Sequence, residues 1–202
     1  MSNSCTLFEY LCELFLAARI KDAEKNAALI SDSCATFLHA LEQDTYTLTV
    51  STGCSQEAAE LLRLVASLSS RRITDRIKPG RKYSDDAVIE HLKGVFLGVP
   101  VETVVGVFFD SAGRYISTEY LADGTVNSSS FLPRKVMDIS TRLGASGVIL
   151  AHNHPRGIAK PSDADIITTA SMASVSDAMG ISFMGHYVIA GFDHALCPGS
   201  MK

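Results

Sequence analysis

Residues 145–155, Ala-Ser-Gly-Val-Ile-Leu-Ala-His-Asn-His-Pro, constrain this chain more than any other stretch. The apolar run Ala145 to Ala151 has the length and composition of a buried strand. Alternation along a strand then sends His152 and His154 to one side and turns Asn153 away. Pro155 and Gly157 end the strand, and after a short loop Pro161-Ser162-Asp163-Ala164-Asp165 opens the apolar-periodic segment Ile166 to Met179. That pattern predicts a helix with Ser162 as its N-cap, which places Asp165 in the first turn. Two neutral imidazoles at a strand end therefore face a carboxylate at a helix start. The arrangement reads as a zinc site held by His152, His154 and Asp165. Three N/O ligands leave the fourth tetrahedral position open to water, the pattern of a catalytic zinc rather than a structural one.

Other metal chemistries want residues that this chain lacks. A zinc deaminase needs His-x-Glu followed by Pro-Cys-x-x-Cys, and the chain contains no Cys-x-x-Cys. An amidohydrolase barrel also uses a strand-end His-x-His, but 202 residues is at the lower limit for that barrel and no eightfold alternation is visible.

His-x-His-Pro, six residues, then Ser-x-x-Asp resembles the motif of the JAMM (MPN-plus, JAB) metalloprotease domain. The wording His152-Asn153-His154-Pro155 after Val148-Ile149-Leu150-Ala151 looks like the RadC branch of that family. Further matches are Pro133-Arg134 leading a helix, Phe109-Asp110 with Arg114 in a hairpin, Gly124-Thr125, and Gly185-His186-Tyr187-Val188-Ile189 as a late strand. The resemblance covers about residues 80 to 195. It implies an α/β (α+β) fold, a mixed β-sheet flanked by helices of the cytidine-deaminase-like kind, with Zn2+ as cofactor. The implied activity is a zinc-dependent metallopeptidase or isopeptidase that hydrolyses an amide bond. Glu102, ahead of the apolar run Thr103 to Phe109, matches the family position of the general base; Glu119, on the next strand, is the alternative. The motif serine, Ser162, is implied to help hold the oxyanion as well as to cap its helix. A protein or peptide substrate follows from the resemblance, with ubiquitin-like conjugates among the candidates. The RadC name carries an alternative, a DNA-repair-associated accessory protein whose metal site is structural or vestigial.

Four further histidines are given lesser roles. His39 and His91 lie in helical stretches and are expected as surface or capping residues, and His194 is near a Gly-rich end. His186, on the late strand, is expected to pack in the core or behind the ligands rather than to bind metal.

Composition fits a soluble cytoplasmic protein, with 47% hydrophobic and 20% charged residues. No apolar run approaches the ~20 residues of a membrane span. Phe8 to Ala18 is apolar but carries Glu9 and Glu13 without a basic leader, which argues against a signal peptide. The five cysteines, Cys5, Cys12, Cys34, Cys54 and Cys197, are scattered and suggest neither a disulfide framework nor a second zinc.

The chain is expected to divide into a helical domain, 1–78, and the metal domain, 79–202. Leu7, Leu11, Leu14 and Phe15 share a helical face, Ala27 to Leu41 repeats the pattern, and Ser55-Gln56-Glu57 opens a helix with Leu61, Leu62, Val65 and Leu68 on one face. Arg71 to Lys82 reads as a basic connector with Pro79-Gly80 punctuation, and Ser84-Asp85-Asp86 caps a helix to Leu97. Ser51-Thr52-Gly53-Cys54-Ser55 occupies the place where RadC-like chains carry a DNA-contacting helix-hairpin-helix, here with a single glycine. A net charge of −4 makes weak, salt-sensitive contact through Arg71, Arg72, Arg76, Lys78, Arg81 and Lys82 the only nucleic-acid binding expected.

Overall fold

Polar caps cut the first part of the chain into short helices. The computed structural model describes residues 6–123, 131–155 and 157–200, so Gly124-Thr125 lies outside the described residues. Helix α1 (Leu7–Ala17) begins with a capping box in which the Thr6 side chain accepts the Glu9 N–H and the Glu9 carboxylate accepts the Thr6 N–H at 2.6 Å. The stretch expected as one helix over Ala27 to Leu41 is two, α2 (Ala23–Ser33) and α3 (Phe37–Leu41). Cys34 is extended, and Thr36 caps α3 by accepting the His39 N–H at 3.1 Å. Hydroxyls in this stretch compete for the backbone and favour a new start over continuation.

Helix α4 (Thr45–Thr52) was not visible in the sequence, because its threonines and valine favour strand. Asp44 settles the matter by accepting the Thr47 N–H at 2.8 Å, and Gly53 ends the helix at φ +75°. Helix α5 (Gln56–Thr74) follows, so Arg71 and Arg72 belong to its last turn rather than to a linker. Leu11, Phe15, Ile30, Leu48 and Leu62 centre the core of this helical unit.

The chain forms two units, one reaching Ser70 and including Leu97–Pro100, the other comprising Arg71–Phe96 and the chain from Val101 onward. The second unit holds α6 (Asp85–Phe96), β1 (Thr103–Phe109), β2 (Tyr115–Asp123), α7 (Phe131–Leu143), β3 (Gly147–Asn153), α8 (Asp163–Ala178), β4 (Ser182–Ala190) and β5 (Asp193–Leu196). The strands make one mixed sheet in the order β2-β1-β3-β4-β5, in which only β3 and β4 run parallel. Their connection is α8, as a parallel pair requires a crossover. The β1–β2 hairpin closes through Asp110, whose side chain accepts the N–H groups of Ala112 and Arg114 at 2.9 and 2.8 Å.

Alternation distributes the core between the two faces of the sheet. Val105, Val107, Ile149 and Ala151 pack with Val88, Leu92 and Phe96 of α6. Phe108, Val148 and Leu150 pack with Val136 of α7 and Met172 of α8. His152 continues the second series and emerges on the side of α8, while Asn153 continues the first. In β4 the register slips, since Val148 pairs with Phe183 and Ile149 with Gly185. This bulge, with Gly185 at φ +148°, reverses the phase of the strand and brings His186 opposite Leu150, onto the face that carries His152. Among the described residues no helix is long and apolar enough to cross a membrane. Cys12, Cys34, Cys54 and Cys197 are free thiols.

Candidate metal centre

The C-terminal end of β3 delivers both histidines to one point. His152 is buried, His154 is half-buried, and their Nε2 atoms are 3.0 Å apart. The other nitrogen of His154, Nδ1, is 3.1 Å from the carbonyl oxygen of Ile158. A carbonyl only accepts, so in the neutral ring the proton is on Nδ1 and the inward Nε2 is bare.

Asp165 approaches from the first turn of α8. Ser162 and Asp165 form a capping box: Asp165 N–H donates to Ser162 Oγ at 3.2 Å, while Asp165 Oδ2 accepts both the Ser162 N–H and its hydroxyl at 2.7 Å. With Oδ2 so occupied, Oδ1 faces His152 Nε2 at 3.3 Å, and Oδ2 is 3.9 Å from His154 Nε2. Burial alone would raise the Asp165 pKa. Its contact with His152 and the two bonds from Ser162 outweigh burial and hold the carboxyl well below the ordinary carboxylate range.

Glu102, immediately before β1, brings a second carboxylate. One of its oxygens lies with the histidine nitrogens in a group whose members are all within 4.8 Å of one another, a His/His/Glu set that can hold a metal ion. Glu119 is elsewhere, opposite Gly106 in the sheet and paired with Arg142 of α7 at 3.3 Å. Asn153 turns to the other side of β3, where its Oδ1 accepts the Thr103 N–H at 2.7 Å and its Nδ2 donates to the Val101 carbonyl at 3.2 Å. The amide thus grips the backbone on both sides of Glu102.

A cleft of about 260 Å³ opens over these groups, lined by Glu102, His152, Ser162 and Asp165, with Asp123 and Leu132 at its wall. His186 forms its floor behind His152, with Nε2 2.9 Å from His152 Nδ1. Thr169, one helical turn beyond Asp165, is 2.8 Å from His186 Nδ1 and donates its hydroxyl to the Asp165 carbonyl at 2.7 Å. Burial, reinforced by the neighbouring His152, lowers the His186 pKa to about 3. Burial pushes the Cys197 thiol up to about 11, so it is neutral near neutral pH.

Sequence reasoning did not anticipate Thr169 or the Asn153 clamp. The spacing of Thr169 four residues after Asp165 was available as a signal, since i and i+4 share a helix face. His91 corrects an expectation: it is buried, its Nε2 is 2.8 Å from the Thr118 hydroxyl, and its ring meets the edge of Tyr115.

The family described as RadC-like JAB domain matches residues 83–197, the segment that builds the sheet and every group just described. The chain belongs to the RadC-like JAB domain family. Among curated proteins it is similar to the UPF0758 protein of Nitrosomonas europaea, 36% identical over 129 residues, which are 63% of this chain and 58% of the relative. The UPF0758 protein of Pseudoalteromonas translucida is 34% identical over 131 residues, 64% of this chain and 58% of the relative. One from Rhodobacter capsulatus is 30% identical over 177 residues, 87% of this chain and 83% of the relative. The chain thus spans less than two thirds of the length of the first two relatives. The RadC-like JAB segment contains both histidines, both site carboxylates and His186.

Proposed function

We propose that this RadC-like JAB domain is a zinc-dependent metallohydrolase that cleaves an amide bond, in a peptide or an isopeptide. The observation that carries the reading is the convergence of two imidazole nitrogens 3.0 Å apart with the Asp165 carboxylate 3.3 Å from one of them. Two ring nitrogens and a carboxylate oxygen gathered this closely make a pocket suited to a cation. Ligand atoms bound to one ion at ~2.0–2.1 Å would be separated by ~3.3 Å, and the two separations made by His152 Nε2, 3.0 Å to His154 Nε2 and 3.3 Å to Asp165 Oδ1, are close to that value. His152, His154 and Asp165 would hold the ion.

A bound zinc supplies a Lewis acid and lowers the pKa of a coordinated water towards ~7. The chain's own residues do the rest. Glu102, exposed at the mouth of the cleft and next to both imidazoles, takes a proton from the attacking water and returns it to the departing amine. Ser162 holds Asp165 in orientation; its hydroxyl proton, directed to Oδ2, serves an oxyanion only after turning away from that oxygen. Substrates of the peptide or isopeptide class, ubiquitin-like conjugates included, fit an open cleft better than an enclosed pocket would.

Glu102→Gln and Glu119→Gln separate this mechanism from its alternative. Against a panel of linear peptides and isopeptide-linked conjugates, Glu102→Gln should keep its zinc and lose ~10² to 10⁴ in rate. Glu119→Gln should act like the parent. Loss of activity in Glu119→Gln with full activity in Glu102→Gln reverses the assignment, and a parent that cleaves nothing across the panel removes the hydrolase reading.

A further inference from the structure

A hydrogen-bond chain runs behind the metal centre, and its direction is set by a group that cannot reverse. We propose that Thr169 and His186 are positioning residues: starting from the Asp165 carbonyl, they fix the Nδ1–H tautomer of His152 and so present its bare Nε2 to His154 and Asp165. The purpose assigned to this relay rests on the metal reading above. The tautomer itself does not, because it follows from contacts within the protein alone.

The Asp165 carbonyl only accepts, so the single hydroxyl proton of Thr169 is committed to it at 2.7 Å. Thr169 Oγ1 must then accept from His186 Nδ1 at 2.8 Å. His186 is 2% exposed and no carboxylate is bonded to its ring, so the ring carries one proton rather than two in a dry interior. With that proton on Nδ1, Nε2 is bare and accepts from His152 Nδ1 at 2.9 Å. His152 in turn has its proton behind it and its lone pair in front. The opposite polarity would put a proton on Nε2, pointing at His154 Nε2 3.0 Å away, and would close the nitrogen to a metal.

The fold builds the relay from features that otherwise have no evident use. Thr169 is one turn after Asp165, so the helix that brings the carboxylate also supplies the start of the chain. The bulge at Gly185 turns His186 inward. A supporting imidazole thus stands where metal-binding histidines ordinarily meet a carboxylate, carbonyl or water.

The test uses the full-length, metal-free protein with long-range ¹H–¹⁵N correlation of the imidazole nitrogens, followed by zinc titration against a chromophoric chelator. In the parent, His152 should show a protonated Nδ1 and a bare Nε2; a protonated Nε2 overturns the proposal. His186→Leu should lose this tautomer preference and bind zinc ~10 to 100-fold more weakly. His186→Gln, which can place an acceptor oxygen near the former Nε2, should restore both. Thr169→Val should weaken the preference and Thr169→Ser should recover it, a pair that serves if His186→Leu does not fold. A folded His186→Leu variant with parental tautomer and parental zinc affinity also overturns the proposal. A parent with the expected tautomer that takes up no zinc leaves the relay standing and removes the metal reading instead.

Discussion

The side-chain oxygen of Asn153 accepts the backbone N–H of Thr103 at 2.7 Å, and through this bond the histidine-bearing strand holds the start of the strand that Glu102 immediately precedes. Both groups are buried, so the bond has no solvent substitute. Asn153→Leu keeps the volume but leaves the Thr103 N–H and the Val101 carbonyl without this partner. An unsatisfied buried group costs ~1–3 kcal/mol, and urea unfolding should show a loss in that range. Zinc uptake should persist, because neither histidine nor Asp165 is touched. Unchanged stability would mean that the clamp contributes nothing.

The capping box at α8 joins helix stability to the orientation of Asp165. Ser162→Ala removes the acceptor for the Asp165 N–H and one of the two donors to Oδ2. A lost N-cap costs ~1 kcal/mol, and thermal unfolding should reveal it. The Asp165 carboxyl should titrate higher than in the parent, in the direction of the ordinary range, because one of the bonds holding it down is gone. Ser162→Thr should behave as the parent on both counts. An Asp165 titration unmoved by Ser162→Ala contradicts this account of the site's charge.

Much of the site was legible in the sequence because its parts are local. His152 and His154 share a face by alternation, and Ser162 and Asp165 are joined by a three-residue capping pattern. The helical first part, the α6 cap and the β1–β2 hairpin could be read for the same reason. What was not legible depends on pairing between distant segments or on register. The contact of Asn153 with Thr103 joins neighbouring strands whose residues are 50 apart in sequence, and the facing of His186 depends on a bulge that no periodicity announces. Helix α4 was hidden because its β-branched residues contradict the state that Asp44 and Gly53 impose. His91 was expected as a surface or capping residue, yet its face is the one that covers Tyr115 and Thr118.

His91 also makes stability depend on pH. Burial lowers its pKa, with a partial offset from the Thr74 carbonyl. The folded state therefore favours the neutral ring, and the stabilising difference is fully present above the unfolded pKa of ~6.5. As the pH falls below that value the unfolded chain takes up a proton that the native state refuses, so stability declines, with a slope of at most ~1.4 kcal/mol per pH unit from this group. His91→Gln should flatten the decline relative to the parent in urea titrations carried out below ~6.5. Parallel pH profiles for the two proteins contradict the assignment.

The central claim is that His152, His154 and Asp165 hold a metal ion, and zinc stoichiometry of the purified chain tests it most directly. The parent should bind about one zinc per chain, as three protein ligands and a water complete a tetrahedron. His154→Ala should lose the metal while retaining the circular-dichroism spectrum of the parent. Stoichiometric zinc in the His152→Ala, His154→Ala double variant, or none in the parent after zinc is supplied, would contradict the account.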